Sequence, residues 1–137
     1  MPIKYEILTD KKLVYAVAEG RVTIDELLDH IRELAADPRY EPPMKKLVDY
    51  RNAPVVALSV AESDHFTEAK KAVAHRFTGE VCAIVVKHDI DFGMSRLHGA
   101  KAESARIDTN VFRRFEEALS WLDVELNQGE LKPGIAS

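Results

Sequence analysis

Apolar and polar residues alternate over Ile3–Leu8, with Ile3, Tyr5 and Ile7 on one side. They alternate again from Leu13 onward, with Leu13, Tyr15 and Val17 together. A period of two predicts half-buried strands, and the turn-like Thr9-Asp10-Lys11-Lys12 between them predicts an antiparallel hairpin. Beyond Gly20 the period changes. Ile24, Leu27, Leu28, Ile31, Leu34 and Ala35 recur at helical offsets, forming one stripe. Thr23 and Glu26 have the spacing of a capping box at the start of that helix. Asp37-Pro38 ends it, because the residue before proline is pushed out of the helical region.

The same alternation of elements continues. Residues 46–50 read as a short strand and the stretch to residue 58 as a loop. Ser59 and Glu62 offer a second capping box for a helix that buries Phe66, Ala69, Val73 and Phe77 and closes at Gly79. Residues 81–86 (VCAIVV) are continuously apolar and β-rich, as expected of a strand covered on both faces. A weaker helix is expected over 92–104, lowered in propensity by Gly93 and Gly99. Ile107, Thr109 and Val111 alternate as a last strand. Phe115, Ala118, Leu119, Leu122 and Leu126 mark a final helix. The order ββαβαβαβα predicts an α/β domain with a mostly parallel, mixed five-stranded sheet and helices packed on it. One domain is expected over residues 1–128, with a flexible tail over 129–137 rich in Gly and Pro.

Composition narrows the function classes. The chain has 137 residues and a formal net charge of −4, which argues against a nucleic-acid surface and against adhesion to anionic membranes. The longest apolar run is far too short to span a bilayer, so no stable membrane insertion is expected. Cys82 is the single cysteine, which rules out an internal disulfide and fits a reducing, cytoplasmic setting. The first residues carry no basic start followed by an apolar stretch, so a secretory leader is not expected.

Several segments together resemble one family. They are Gly20-Arg21-Val22-Thr23, Ala36-Asp37-Pro38-Arg39-Tyr40, Leu47-Val48-Asp49-Tyr50-Arg51, Ala83-Ile84-Val85-Val86, Phe92-Gly93-Met94-Ser95-Arg96, and Val111-Phe112 leading into Glu117-Ala118-Leu119-Ser120-Trp121-Leu122. In this order and spacing the chain resembles the SpoIIAA-like family, which is similar to STAS domains (anti-sigma-factor antagonists) and is likened to CRAL-TRIO lipid-binding proteins. The chain departs from that pattern at Arg114, where the family has an acidic helix cap, and at His98 and Gly99, where it has an aromatic and a larger residue. The resemblance implies a non-enzymatic regulatory or protein-interaction domain. The alternative is a binder of a small hydrophobic ligand or lipid, in a pocket between helices and sheet. An enzyme comes third.

Candidate chemistry is sparse. His30, His65, His75, His88 and His98 show no metal-ligand spacing, so no metal and no cofactor are expected. His88, Asp89 and Asp91 form the closest cluster and read as a solvated turn. Cys82 lies inside an apolar strand, where a thiolate would be desolvated. Ser59 occupies a place similar to that of the phosphorylated serine of anti-sigma-antagonist STAS domains. The Asp-Ser-Ser-Gly signature is absent, and an N-cap role accounts for Ser59. Asp49, at the carboxyl end of its strand, can bind a partner or cap a loop. Arg96, in the first turn of a helix, opposes the helix dipole and calls for a contact such as Asp49 or Asp89. Ligands and partners of parallel α/β sheets gather beyond the carboxyl ends of the strands. The candidate binding residues are therefore Asp49, Arg51, His88, Asp89 and Arg96, with Ser59 as the candidate phosphosite. A protein partner, a homodimer or a small hydrophobic ligand is the expected occupant.

Overall fold

The alternating segments assemble into a sheet in which each strand pairs with its neighbour in sequence. A computed structural model describes residues 3–53, 59–87 and 108–130. The strands are β1 (Ile3–Leu8), β2 (Leu13–Glu19), β3 (Lys45–Asn52), β4 (Val81–Val85) and β5 (Asp108–Phe112), in the spatial order β1-β2-β3-β4-β5. β1 runs antiparallel to β2, closing the expected hairpin through a 3-10 turn over Thr9–Lys11. Every other pair is parallel. The mixed α/β sheet agrees with the sequence reading. The expected helix over 92–104 lies outside the described residues.

The pleat divides the sheet into two apolar faces. Val14, Ala16, Val48 and Cys82 point to one side, where α1 (Ile24–Ala36) and α2 (Val60–Ala72) lie with Val22, Leu27, Ile31 and Phe66. Leu13, Tyr15, Leu47, Ala83 and Val85 point to the other, against Phe115, Ala118 and Leu122 of α3 (Phe115–Leu122). Both predicted capping boxes are formed: Thr23 with Glu26, and Ser59 with Glu62. α1 has no basic residue in its last turn. Arg76 supplies one from another element, donating from Nε to the Ala35 carbonyl at 2.7 Å and from Nη2 to the Tyr40 carbonyl at 3.0 Å.

Three boundaries differ from the sequence reading. β3 runs on through Arg51 and Asn52, which looked like loop residues, because past a shift in register Asn52 still pairs with Glu19 of β2. α2 ends at Ala72 and a 3-10 turn over Ala74–Phe77 follows, so Phe77 reaches the core from the turn and meets the Tyr40 ring edge-on at 5.0 Å. α3 ends at Leu122 because Asp123 adopts the left-handed conformation. Leu126 therefore packs from beyond the helix. Residues 129 and 130, expected in the tail, are tied to the body: Glu130 closes a short 3-10 turn and pairs with Lys11.

Gly20 and Gly79 both have positive φ, at 70° and 75°. A Cβ on Gly20 would meet open space, whereas one on Gly79 would sit 3.0 Å from the Pro43 Cβ. Left-handed backbone costs an L-residue about 1–2 kcal/mol. Gly20→Ala should lose no more than that in urea unfolding, and Gly79→Ala should lose more. Equal losses would mean that Pro43 gives way freely.

Candidate functional site

Of the residues singled out at the carboxyl end of the sheet, Asp49, Arg51 and Ser59 are described, and His88, Asp89 and Arg96 lie outside the described residues. Asp49 does not end its strand. It sits three residues inside β3, beside Val17 of β2 and Val85 of β4, on the α3 face. It is 5% exposed. A buried carboxylate needs compensation, and the chain provides it two residues on, where the pleat returns to the same face. Arg51 donates to Asp49 from its backbone N at 2.9 Å, from Nε at 3.0 Å and from Nη2 at 2.8 Å. The guanidinium also lies 4.6 Å from the centroid of the Phe115 ring. The hydrogen bonds to Asp49, first of all, raise the Arg51 pKa above its ordinary value. Burial, and then the Asp49 charge, push the Tyr15 hydroxyl up to about 12. Asp49 and Arg51 are thus brought together, with one side buried and the arginine half-exposed.

Ser59 caps α2. Its Oγ accepts from the Glu62 N–H at 3.1 Å, while its own N–H donates to Glu62 Oε1 at 3.0 Å. The other end of α2 leads through Phe77 and Gly79 to the amino end of the sheet, beside Tyr40 and Pro43. Its first turn therefore lies at the carboxyl end. Val60, its first residue, is 78% exposed. Arg114 stands at the N-cap of α3 without a side-chain capping bond, in line with its departure from the acidic cap. Burial, followed by the charge of Glu80, pushes the Cys82 thiol up to about 12, which leaves it a poor nucleophile. Among the described residues, no three His, Cys, Asp or Glu side chains gather as a metal site. No helix among them is long and apolar enough to cross a membrane.

Two features were missed in the sequence. The first is an open groove of about 640 Å³ between edge strand β1 and the end of α1, lined by residues including Tyr5, Glu33, Asp37 and Arg39. Asp37 there repeats the Asp49 arrangement, accepting from Arg39 N, Nε and Nη2 at 3.0, 3.1 and 2.8 Å, and from the Tyr5 hydroxyl at 2.9 Å. The spacing Asp-x-Arg, present at both places, was the available signal. The second is a set of basic side chains under α1 and α2. Lys46 of β3 and His30 of α1 are both buried, with Nζ 2.8 Å from Nε2.

Arg51→Ala should leave the Asp49 carboxylate buried with one backbone donor, at a cost of about 1–3 kcal/mol in chemical unfolding. Arg51→Lys should restore little of it, because a lysine lacks the forked donors. A loss of zero in both would make the pair dispensable. At Asp37 the arginine hydrogen bonds, above all, hold the carboxyl well below the ordinary carboxylate value. A carboxyl depressed in the folded state adds stability that is present above its unfolded pKa of about 3.9 and lost as pH falls toward the folded value. Asp37→Asn should therefore flatten the acid limb of stability against pH below about 4. An unchanged limb would show that other carboxylates set it.

No family model matches the sequence, and no curated protein matches it. Among solved structures, the chain is similar to an uncharacterised protein of the DUF3478 family from Shewanella loihica PV-4, described as having a SpoIIAA-like fold. The identity is 18%, the TM-score is 0.57, and the match covers 88% of this chain and 91% of that one. With one antiparallel strand pair, three parallel ones and helices on both faces, the chain has the SpoIIAA-like fold.

Proposed function

We propose that this chain is a non-enzymatic regulatory or protein-interaction domain whose contact surface is the carboxyl end of the sheet. Val60 carries the reading. It is an apolar, β-branched residue at the first position of a helix, where it does nothing for packing and is 78% exposed. Burying such a side chain against a partner contributes about 1.5 kcal/mol or more. Arg51 adds a cation already held in place by Asp49 and Phe115. An arginine ordered in advance loses less side-chain entropy on binding than a free one. Two of the described polar groups at this end hold structure: the Asp49 carboxylate accepts three N–H groups and the Ser59 hydroxyl caps a helix.

Ser59 belongs to the same proposal as its regulated position. A phosphoryl group there would face the Glu62 carboxylate that now accepts from the Ser59 N–H. Like-charge repulsion would open the capping box and loosen the turn that presents Val60.

A photo-crosslinking residue placed at position 60 tests the reading in living cells. Protein adducts are expected at position 60 and not at a control position such as Glu33, and Arg51→Ala should reduce them. Ser59→Glu should reduce them further and lower helix content. Equal labelling at both positions would overturn the proposal, as would its absence at 60.

A further inference from the structure

β1 is an edge strand. It pairs with β2 on one side, and among the described residues no strand pairs with it on the other. The ladder shows which of its backbone groups face outward. The Lys45 N–H donates to the Lys12 carbonyl, and the trans peptide that carries this carbonyl turns the Leu13 N–H the opposite way, toward β1. Backbone groups alternate in direction along a strand. Leu13, Tyr15 and Val17 therefore face β1, and their partners Leu8, Glu6 and Lys4 face β2. The N–H and C=O groups of Ile3, Tyr5 and Ile7 are left pointing out of the sheet. A row of such groups is a template for another strand.

The strand reads Ile3-Lys4-Tyr5-Glu6-Ile7, which is complementary to itself about Tyr5. Laid antiparallel to a second copy with the two Tyr5 residues facing, it sets Lys4 opposite the partner's Glu6 and Ile3 opposite the partner's Ile7. Every outward N–H and C=O then meets a counterpart. Lys4 and Glu6 fall in the non-hydrogen-bonded pairs, where facing side chains stand closer. Both are exposed, and among the described residues neither has an ion-pair partner. A pairing centred on Lys4 or on Glu6 instead would set like charges directly opposite, which is destabilising. Charge thus selects one register. The groove of about 640 Å³ between β1 and the end of α1 leaves this edge open among the described residues. Tyr5, at the centre, is already held by its hydroxyl on Asp37 at 2.9 Å and by the His30 ring edge-on at 5.5 Å. Pairing therefore has little side-chain freedom to remove there.

We infer that two copies of this chain pair through β1, antiparallel and centred on Tyr5, so that one sheet runs unbroken across a two-fold axis. The axis stands perpendicular to the sheet. It places α1 and α2 of both copies on one face and α3 of both on the other. It also turns the two carboxyl ends to opposite sides, where both stay free. The interface is separate from the carboxyl-end surface proposed above and does not depend on it.

Sedimentation equilibrium of the full chain tests it. Wild type should show a concentration-dependent equilibrium between monomer and dimer. Lys4→Glu sets like charges opposite in both symmetry-related pairs and should weaken dimerisation about tenfold or more. Glu6→Lys should do the same. The double variant Lys4→Glu/Glu6→Lys should return to the wild-type affinity, because opposite charges face each other again. Both side chains are exposed, so these variants keep the fold. The register has its own readout. A mixture of Lys4→Cys and Glu6→Cys protein should form an interchain disulfide on mild oxidation, since Cα atoms of such a pair lie about 4.5 Å apart. Either variant alone should not. A wild type that stays monomeric at about 1 mM would overturn the inference. So would unchanged association in both single variants, or a double variant no tighter than either of them, or a mixture that crosslinks no better than its components.

Discussion

β3 is the constraint on which the rest of the structure depends. It lies between two parallel neighbours and is covered on both faces, yet it reads Lys45-Lys46-Leu47-Val48-Asp49-Tyr50-Arg51-Asn52. A strand in that position is ordinarily a run of apolar residues. Alternation sends Leu47 and Asp49 to the α3 face, and Lys46 and Val48 to the α1 and α2 face. Each buried charge must then be met where the pleat leaves it. Asp49 is met by Arg51, on its own face and its own strand. The next residues on Lys46's face are Val48 and Tyr50, so it must look across to α1. Packing of both helical layers follows from how these two charges are accommodated: Arg51 closes onto Phe115 at the start of α3, and Lys46 anchors to His30 in the middle of α1.

Much of this fold was legible in the sequence. The hairpin, the first helix stripe and both capping boxes appear where spacing placed them, because each is set by local chemistry. α2 was less so. Its Phe66 and Val73 end half-buried, and Phe77 reaches the core from a 3-10 turn, since the helix stops at Ala72. The extension of β3 was hidden by Arg51 and Asn52, polar residues that suggest a loop until the ladder with β2 is seen. Strand order was not readable at all, because pairing between distant strands leaves no periodic mark in either.

The candidate site rests on position in the fold rather than on a chemical motif. Topology pointed to Asp49, Arg51, His88, Asp89 and Arg96, and the two of them that are described, Asp49 and Arg51, are partners of each other. The basic cluster was missed although both halves of its signal were present. His30 lies three residues after Leu27 and four before Leu34, in the apolar stripe of α1. Lys46 occupies a position of β3 that the pleat turns inward. Neither placement says that the two meet, since the contact depends on where α1 crosses the sheet.

Three described carboxylates that enter the interior are held by side-chain donors from the chain itself. Asp37 is held by Arg39 and Tyr5, Asp49 by Arg51, and Glu80 by Tyr40. In the two Asp-x-Arg pairs the guanidinium stays exposed enough to remain solvated while its donors reach inward. A carboxylate is small and can be satisfied from one side by a long arm whose charge remains near water. Among the described residues, no carboxylate stands within ion-pair distance of Lys46 or Lys70. Lys46 rests on a neutral imidazole, and Lys70 on an aromatic ring. The two aspartates thus carry their counter-charge two residues away in sequence, whereas Lys46 and Lys70 rest on uncharged rings.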